Sequence, residues 1–185
     1  MQDHRLVLYP LDSSLKPDLQ GLQQALLETG LIGERHDWQG QQHFLPGEHF
    51  LERVTFLGCS PFINLAPPEN DAQGSEYCHI QLANVKEQAE FLGGGNVRVP
   101  RCPHCKQALD NWQAGLAEPE SFSCGYCGEN VPLSSVNWRR SAAFACCSVH
   151  IWGIHDGEAV PSERLMTVLK EATGSDWGYF YWQSI

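Results

Sequence analysis

Two Cys-x-x-Cys turns, Cys102-Pro103-His104-Cys105 and Cys124-Gly125-Tyr126-Cys127, stand 18 residues apart in a chain of 185. No other feature constrains the fold as strongly. Two residues between cysteines let the backbone double back, so that both sulfurs reach one ion at about 2.3 Å. A second such turn completes a tetrahedron, and the spacing is that of a four-cysteine zinc site. Four protein ligands leave no open coordination position. One Zn2+ held by Cys102, Cys105, Cys124 and Cys127 is therefore expected to stabilise structure and not to activate water. Gly128 lets the backbone amides turn toward the sulfurs, and Arg98, Arg101 and Lys106 lie close enough in sequence to favour thiolates.

Cys102-Pro103-His104-Cys105 is also the tetrapeptide that thiol-oxidising enzymes of the thioredoxin superfamily place at a helix start, where a low thiolate pKa drives disulfide exchange. A redox dithiol needs no second pair at ribbon distance, and the strand–motif–helix context near an N-terminal βαβ unit is missing here. Zinc is the expected reading. The opening residues Met1 to Pro10 lack the long apolar stretch of a secretory signal, and no run approaches the roughly 20 apolar residues that span a bilayer. A cytoplasmic location is expected, where the eight cysteines serve as ligands, core residues or thiols before disulfides.

The net charge of −10 is uneven: residues 1–97 carry 13 acids and 5 bases, residues 98–140 carry 4 and 5, and residues 141–185 carry 5 and 2. Such a surface repels polyanions. Only the middle segment is suited to nucleic acid, and its charge falls once a four-thiolate zinc is counted.

Around the cysteine segment the pattern predicts an α+β core. A strand is expected at Arg5–Tyr9, then a helix over Pro17–Thr29 with a stripe of Leu15, Leu19, Leu22 and Leu26, ended by Gly30. Residues 33–49 read as polar loop, Leu51–Leu57 as a strand, and 58–75 as a long loop. Tyr77–Leu82 alternates, with Cys78, Ile80 and Leu82 on one face and Tyr77, His79 and Gln81 on the other. Gly93-Gly94-Gly95 marks a flexible joint. Ala142–Ile154 reads as a single strand, Pro161–Thr173 as a helix with Leu165, Val168, Leu169 and Ala172 inward, and Trp177–Gln183 as a central aromatic strand, with a stacking or partner surface as the alternative. The two helices share a Pro…Thr-Gly frame, which fits either a duplicated strand–helix unit or common start and stop rules. The expected architecture is a mainly antiparallel sheet with two helices on one face, ferredoxin-like as the nearest familiar arrangement. Residues 1–97 with 141–185 form the core, and 98–140 form an inserted zinc ribbon.

Other clusters invite chemistry. His43, Glu48, His49 and Glu52 miss the metalloprotease spacing, and Pro46-Gly47 breaks the helix that motif needs, so a solvated loop is expected. Cys146, Ser148 and His150 would share a strand face, but small cysteines in strands usually pack in cores. Asp156-Gly157-Glu158 reads as a turn before a helix, and Cys59 as a buried strand end. The glycine run lacks the lysine and helix of a phosphate loop.

Phe44-Leu45-Pro46-Gly47-Glu48-His49-Phe50-Leu51, Leu57-Gly58-Cys59-Ser60-Pro61, the two knuckles, and Gly157-Glu158-Ala159-Val160-Pro161 followed by Trp177-Gly178-Tyr179-Phe180-Tyr181 together resemble an uncharacterised bacterial α+β family with an inserted four-cysteine zinc ribbon. The ribbon itself resembles the broad zinc-ribbon class, which spans many functions. Neither resemblance carries over a catalytic residue.

Three functions are compatible with these residues. The first is a binding or adaptor protein, with a protein or small ligand as partner. The second is an enzyme that gathers at least three of His49, Cys59, His79, His150, His155 and Glu158 in one pocket. The third is nucleic-acid binding through Arg98, Arg101, Lys106, Arg139 and Arg140 beside an exposed Trp112 or Trp138.

Overall fold

The structure is a computed structural model that describes residues 3–58, 63–67 and 77–184. Cys59 and most of the expected 58–75 loop lie outside them. Ten strands and three α-helical segments are described, with short 3-10 turns inside the cysteine-rich region. The strands are β1 (His4–Pro10), β2 (Ile32–Trp38), β3 (Gln41–Pro46), β4 (Val54–Phe56), β5 (Ile80–Leu82), β6 (Glu90–Gly93), β7 (Ala142–Ala145), β8 (Val149–Trp152), β9 (Ala159–Pro161) and β10 (Trp177–Gln183). The helices are α1 (Leu19–Glu28), the single turn α2 (Phe50–Arg53) and α3 (Glu163–Thr173). Six strands form an antiparallel sheet in the order β10-β1-β8-β5-β3-β2, with β4–β9 and β6–β7 as separate two-stranded ribbons.

The helices form where their caps direct. Asp18 accepts the amides of Gln20 and Gly21 at 3.2 and 2.9 Å, so α1 starts after Asp18 and Pro17 precedes the cap. Ser162 accepts the Leu165 amide at 3.3 Å and starts α3. Both helices end on a left-handed glycine, Gly30 at φ 72° and Gly174 at φ 75°. Leu22, Leu26, Leu165, Val168 and Leu169 are buried, Leu15 and Leu19 half-buried, and Ala172 exposed. Both helices contact one another and cover the sheet face that carries Leu6, Leu8, Ile80, Val149 and Ile151. The shared helical frame does not extend to the strands: β1 lies in the main sheet, whereas β9 pairs with β4.

Four sequence expectations need correction. Residues 33–49 are mostly a hairpin, β2–β3, closed by Gln39 and Gly40 at φ 50° and 74°. Two positive-φ residues make the tight hairpin turn that follows strand twist, and Gln39 is an unusual residue for it. Leu51–Leu57 divides into the last turn of α2 and the short β4. Ala142–Ile154 is two strands in different sheets. The chain switches at Cys146–Ser148, where the Cys146 amide donates to Ser13 O and the Lys86 amide to Cys146 O. Finally, β10 is an edge strand and not a central one.

That edge is nonetheless covered. The Gly95 amide donates to Gln183 O at 2.7 Å, Asn96 Nδ2 donates to Tyr181 O at 2.9 Å, and the Gln183 amide donates to Asn96 Oδ1 at 3.2 Å. A Cβ on Gly94 would overlap the Gln183 carbonyl. The glycine run is therefore a close-packed seam that satisfies an exposed strand edge, not a loose joint.

Candidate metal centre

The two knuckles are built alike, with equivalent positions offset by 22 residues. Arg101 bridges to Ala108, and Ser123 to Asn130. The Cys102 amide donates to Gln107 O and the Lys106 amide to Cys102 O; the Cys124 amide donates to Glu129 O and the Gly128 amide to Cys124 O. Lys106 and Gly128 both take left-handed backbone, φ 63° and 73°. Glycine meets that need at no cost in one knuckle, and a lysine accepts it in the other. Lys106 holds its turn through Nζ, which donates to Pro103 O at 2.6 Å.

The four sulfurs converge within 4.8 Å of one another, the only such group of three or more His, Cys, Asp or Glu side chains among the described residues. Cys102 and Cys127 Sγ are 3.9 Å apart, and Cys105 and Cys124 Sγ 3.7 Å apart. A tetrahedron with 2.3 Å metal–sulfur bonds has edges of about 3.8 Å, whereas a disulfide would bring two sulfurs to about 2.05 Å. The donor set fits a metal ion and does not fit an oxidised pair. Backbone amides also point at the sulfurs. Those of Cys127 and Tyr126 pull the Cys124 thiol down to about 7. The amides of Gln107 and Glu129 also point at Cys105 and Cys127, but burial and the neighbouring thiols outweigh them and leave both of those thiols raised.

The neighbouring bases are engaged elsewhere. Arg98 faces Asp156 at 3.8 Å, and Arg101 Nη1 donates to Lys106 O at 3.0 Å. No α-helix follows Cys105; the next helical element is a 3-10 turn at Trp112–Ala117. The helix-start context of a redox dithiol is absent from this segment.

The chain matches no protein-family model, no curated protein and no solved structure. The expected bacterial family thus has no support beyond the four cysteines themselves. Under them lies a second hydrophobic cluster of Leu109, Trp112, Phe122, Val131, Leu133, Val136 and Trp138. It continues into Phe91 and Phe144 of β6–β7, and Trp138 Nε1 donates to Leu133 O at 3.0 Å. Trp112 and Trp138 are buried core residues, so neither offers an exposed stacking face beside the ribbon's bases.

Among the described residues the other candidates do not assemble. His49 is half-buried between Glu48 and Glu52 at 3.4 and 3.3 Å, while His43 is fully buried in β3 and not in a solvated loop. His155 lies against His4 with ring centres 4.0 Å apart and planes tilted by 40°, and its amide donates to Glu158. Cys147 joins the helix-side core. His150 pairs with Ser148 and not with Cys146: Nε2 lies 2.8 Å from Ser148 Oγ, and Nδ1 lies 3.4 Å from Arg5 Nη1. Arginine can only donate, so Nδ1 accepts and Nε2 carries the hydrogen. That tautomer cannot take a proton from Ser148, so the pair is not a nucleophile and its base.

One cluster was hidden in the sequence. The sheet face turned away from the helices carries Trp38, His36, His43, His79, Trp152, His150, Arg5 and Trp182, each from the alternate register to the aliphatic core. Trp38 lies 4.9 Å from His79, His43 lies 4.8 Å from His79, and His79 stacks on Trp152 at 5.3 Å and 14°. Arg5 is sandwiched between Trp152 and Trp182, 3.4 and 4.0 Å from their ring centres. Burial, with His36 and Arg5 as like-charged neighbours, pushes His43 down to about 4. Burial, with His43 beside it, pushes His79 to about 3. The available signal was the alternation at Tyr77–Leu82, which put His79 opposite Ile80. Its partners came from a hairpin that read as loop.

Proposed function

We propose that the protein is a cytoplasmic binding or adaptor protein whose ribbon is an inserted module made rigid by one structural Zn2+. The observation that carries this reading is the four-sulfur shell, whose spacing fits a closed tetrahedral site. When bound, the ion supplies cross-linking of the two knuckles. Cys102, Cys105, Cys124 and Cys127 hold it, the Cys127 and Tyr126 amides favour the Cys124 thiolate, and the cluster around Trp138 fixes the knuckles on β6–β7.

A cleft of about 900 Å³ opens between the ribbon and the core, lined by Ser13, Lys16, Glu87, Glu118, Glu120 and Cys146 among others. Its volume is within the range of small-molecule sites, and its acids outnumber its one base. A cationic peptide or small ligand suits it best. The test is a photo-crosslinking residue at Ser121 in the cleft, with the same residue at Gln39 on the β2–β3 turn as control. Capture of a discrete partner at 121 alone, abolished by Cys124→Ser, is the expected result. Equal capture at both positions, or capture that survives loss of the metal, overturns the proposal.

A further inference from the structure

Each buried side-chain nitrogen that lacks a hydrogen-bond partner among the described residues belongs to one contiguous group: Arg5 Nε, both ring nitrogens of His43, His79 Nε2 and Trp152 Nε1. Leaving such a group unmade costs about 1–3 kcal/mol per atom. Clustered on one sheet face, these atoms suit a group that both accepts and donates. We propose that His43 and His79 form a second metal site, separate from the ribbon, for one divalent first-row transition ion such as Zn2+, Co2+ or Ni2+.

The tautomers support it. His79 Nδ1 lies 3.1 Å from the Tyr77 carbonyl oxygen, which can only accept, so Nδ1 carries the hydrogen and Nε2 presents a lone pair. A ligating histidine is usually fixed in this way, its second nitrogen donating to a carbonyl. His43 has neither nitrogen engaged, so one lone pair is free whichever tautomer it takes. Two imidazoles that share an ion at about 2.0–2.1 Å hold their ring centres about 4.5–5.2 Å apart at octahedral to tetrahedral angles. The observed separation is 4.8 Å. Both residues are 0% exposed, which keeps them neutral and able to ligate at pH 7.

Imidazole donors select the borderline ions of the first row over Mg2+ or Ca2+. His36 stands opposite His43 in the β2–β3 register, but its Nε2 is engaged at 2.8 Å with the Tyr77 hydroxyl. It positions Tyr77 and is not a third ligand. The site therefore has two protein ligands, in contrast to the closed ribbon. Its remaining positions go to water or an anion, which are acceptors for the stranded hydrogens of Arg5 Nε and Trp152 Nε1.

The test uses the full chain with its ribbon loaded with zinc. Co2+ is added, and the metal bound per chain is counted after gel filtration. Cobalt visible absorption without a thiolate charge-transfer band marks a site made of nitrogen and oxygen. The expected result is one added equivalent, lost in His43→Gln and in His79→Gln but kept in His49→Ala and His155→Ala. Because the first two variants remove buried groups, a second readout uses the unaltered protein. Imidazole nitrogen NMR should show Co2+ or Zn2+ perturbing His43 and His79 while His49 is unmoved. No added equivalent, or one that disappears with His49 or His155 instead, overturns the proposal.

Discussion

Replacing Cys124 with serine tests how far the ribbon's order depends on its metal. The side chain is buried, its sulfur receives two backbone amides, and it stands at one corner of the sulfur tetrahedron. A structural zinc contributes apparent binding free energies of about 10–16 kcal/mol, which equals or exceeds the whole stability of a typical domain at about 5–15 kcal/mol. Serine is a poor ligand, so the segment between Arg101 and Trp138 should lose its fixed structure. The effect should then reach a definite distance. Phe91 of β6 packs on Trp112 and Trp138 with ring centres 5.4 and 5.2 Å away, and on Phe144 of β7 at 5.5 Å. The first two contacts go with the ribbon, as does that of Phe144 with Trp138 at 6.1 Å, and the Phe91–Phe144 contact stays. At about 0.5–1.5 kcal/mol per aromatic pair, the β6–β7 hairpin loses about 1.5–4.5 kcal/mol. Amide exchange in 90–93 and 142–145 should accelerate roughly 10- to 2000-fold. β1, β8 and the two long helices, whose core is a separate cluster of Leu6, Leu8, Val149, Ile151, Leu22 and Leu169, should stay protected. Hydrogen exchange with mass spectrometry on the variant reads all three zones. Unchanged exchange across 101–138, or equal acceleration in β1 and β8, would refute the reasoning and with it the insertion of the ribbon into an independent core.

Zinc bound as purified should resist dilution and be released by an organomercurial in step with titration of four thiols per ion at the ribbon, followed with a zinc-sensitive dye. His150 is pushed down to about 3 by burial, with Arg5 and His43 adding to it. Its stabilising contribution is therefore present above the unfolded value of about 6.5 and lost as pH falls below it, so urea midpoints should drop from pH 7 to pH 5 by less in His150→Gln than in the parent chain. Gly94→Ala should lower stability by about 1–3 kcal/mol through overlap with the Gln183 carbonyl, whereas Gly125→Ala, where a Cβ meets nothing within 4 Å, should not; urea unfolding compares them. Fluorescence anisotropy should show no binding of duplex DNA at physiological salt, because the acids are spread over the core and Trp112 and Trp138 are buried.

The parts of the fold that were legible in the sequence are those governed by local chemistry. The knuckles, the two helices and the outer strands announce themselves through spacing, apolar stripes and punctuating glycines. Even there a cap overrode an expectation: Asp18 and not Pro17 begins α1. What stayed hidden depends on partners distant in sequence. Glu34, His36 and His43 look like loop residues until β3 finds β5 and β5 finds β8. Ala142–Ile154 has uniform strand propensity, and only its pairing with two different sheets divides it. The edge position of β10 is equally invisible, since five aromatics in six residues suit a buried strand. Here the second flank is closed by Gly94–Asn96 instead of another strand.

The sheet's two faces follow from one alternation but obey different rules. On the helix side, Leu6, Leu8, Ile80, Val149 and Ile151 gain by leaving water and need no partner. On the other side, beside the apolar Val7, stand Arg5, His150, His79 and Trp152, whose polar atoms lose hydration on the same burial and must be repaid by geometry. Part of that is done in place. Ser148 accepts from His150, Tyr77 O accepts from His79, and Arg5 gains two indole faces. The unmatched atoms are confined to four residues in the middle of the face, where an aliphatic set would have packed at lower cost. Two neutral imidazoles, an indole N–H and a guanidinium N–H thus stand together as the donor-and-acceptor set that the proposed second site uses, while the four converging sulfurs of the knuckles are the one group of three or more potential metal ligands among the described residues.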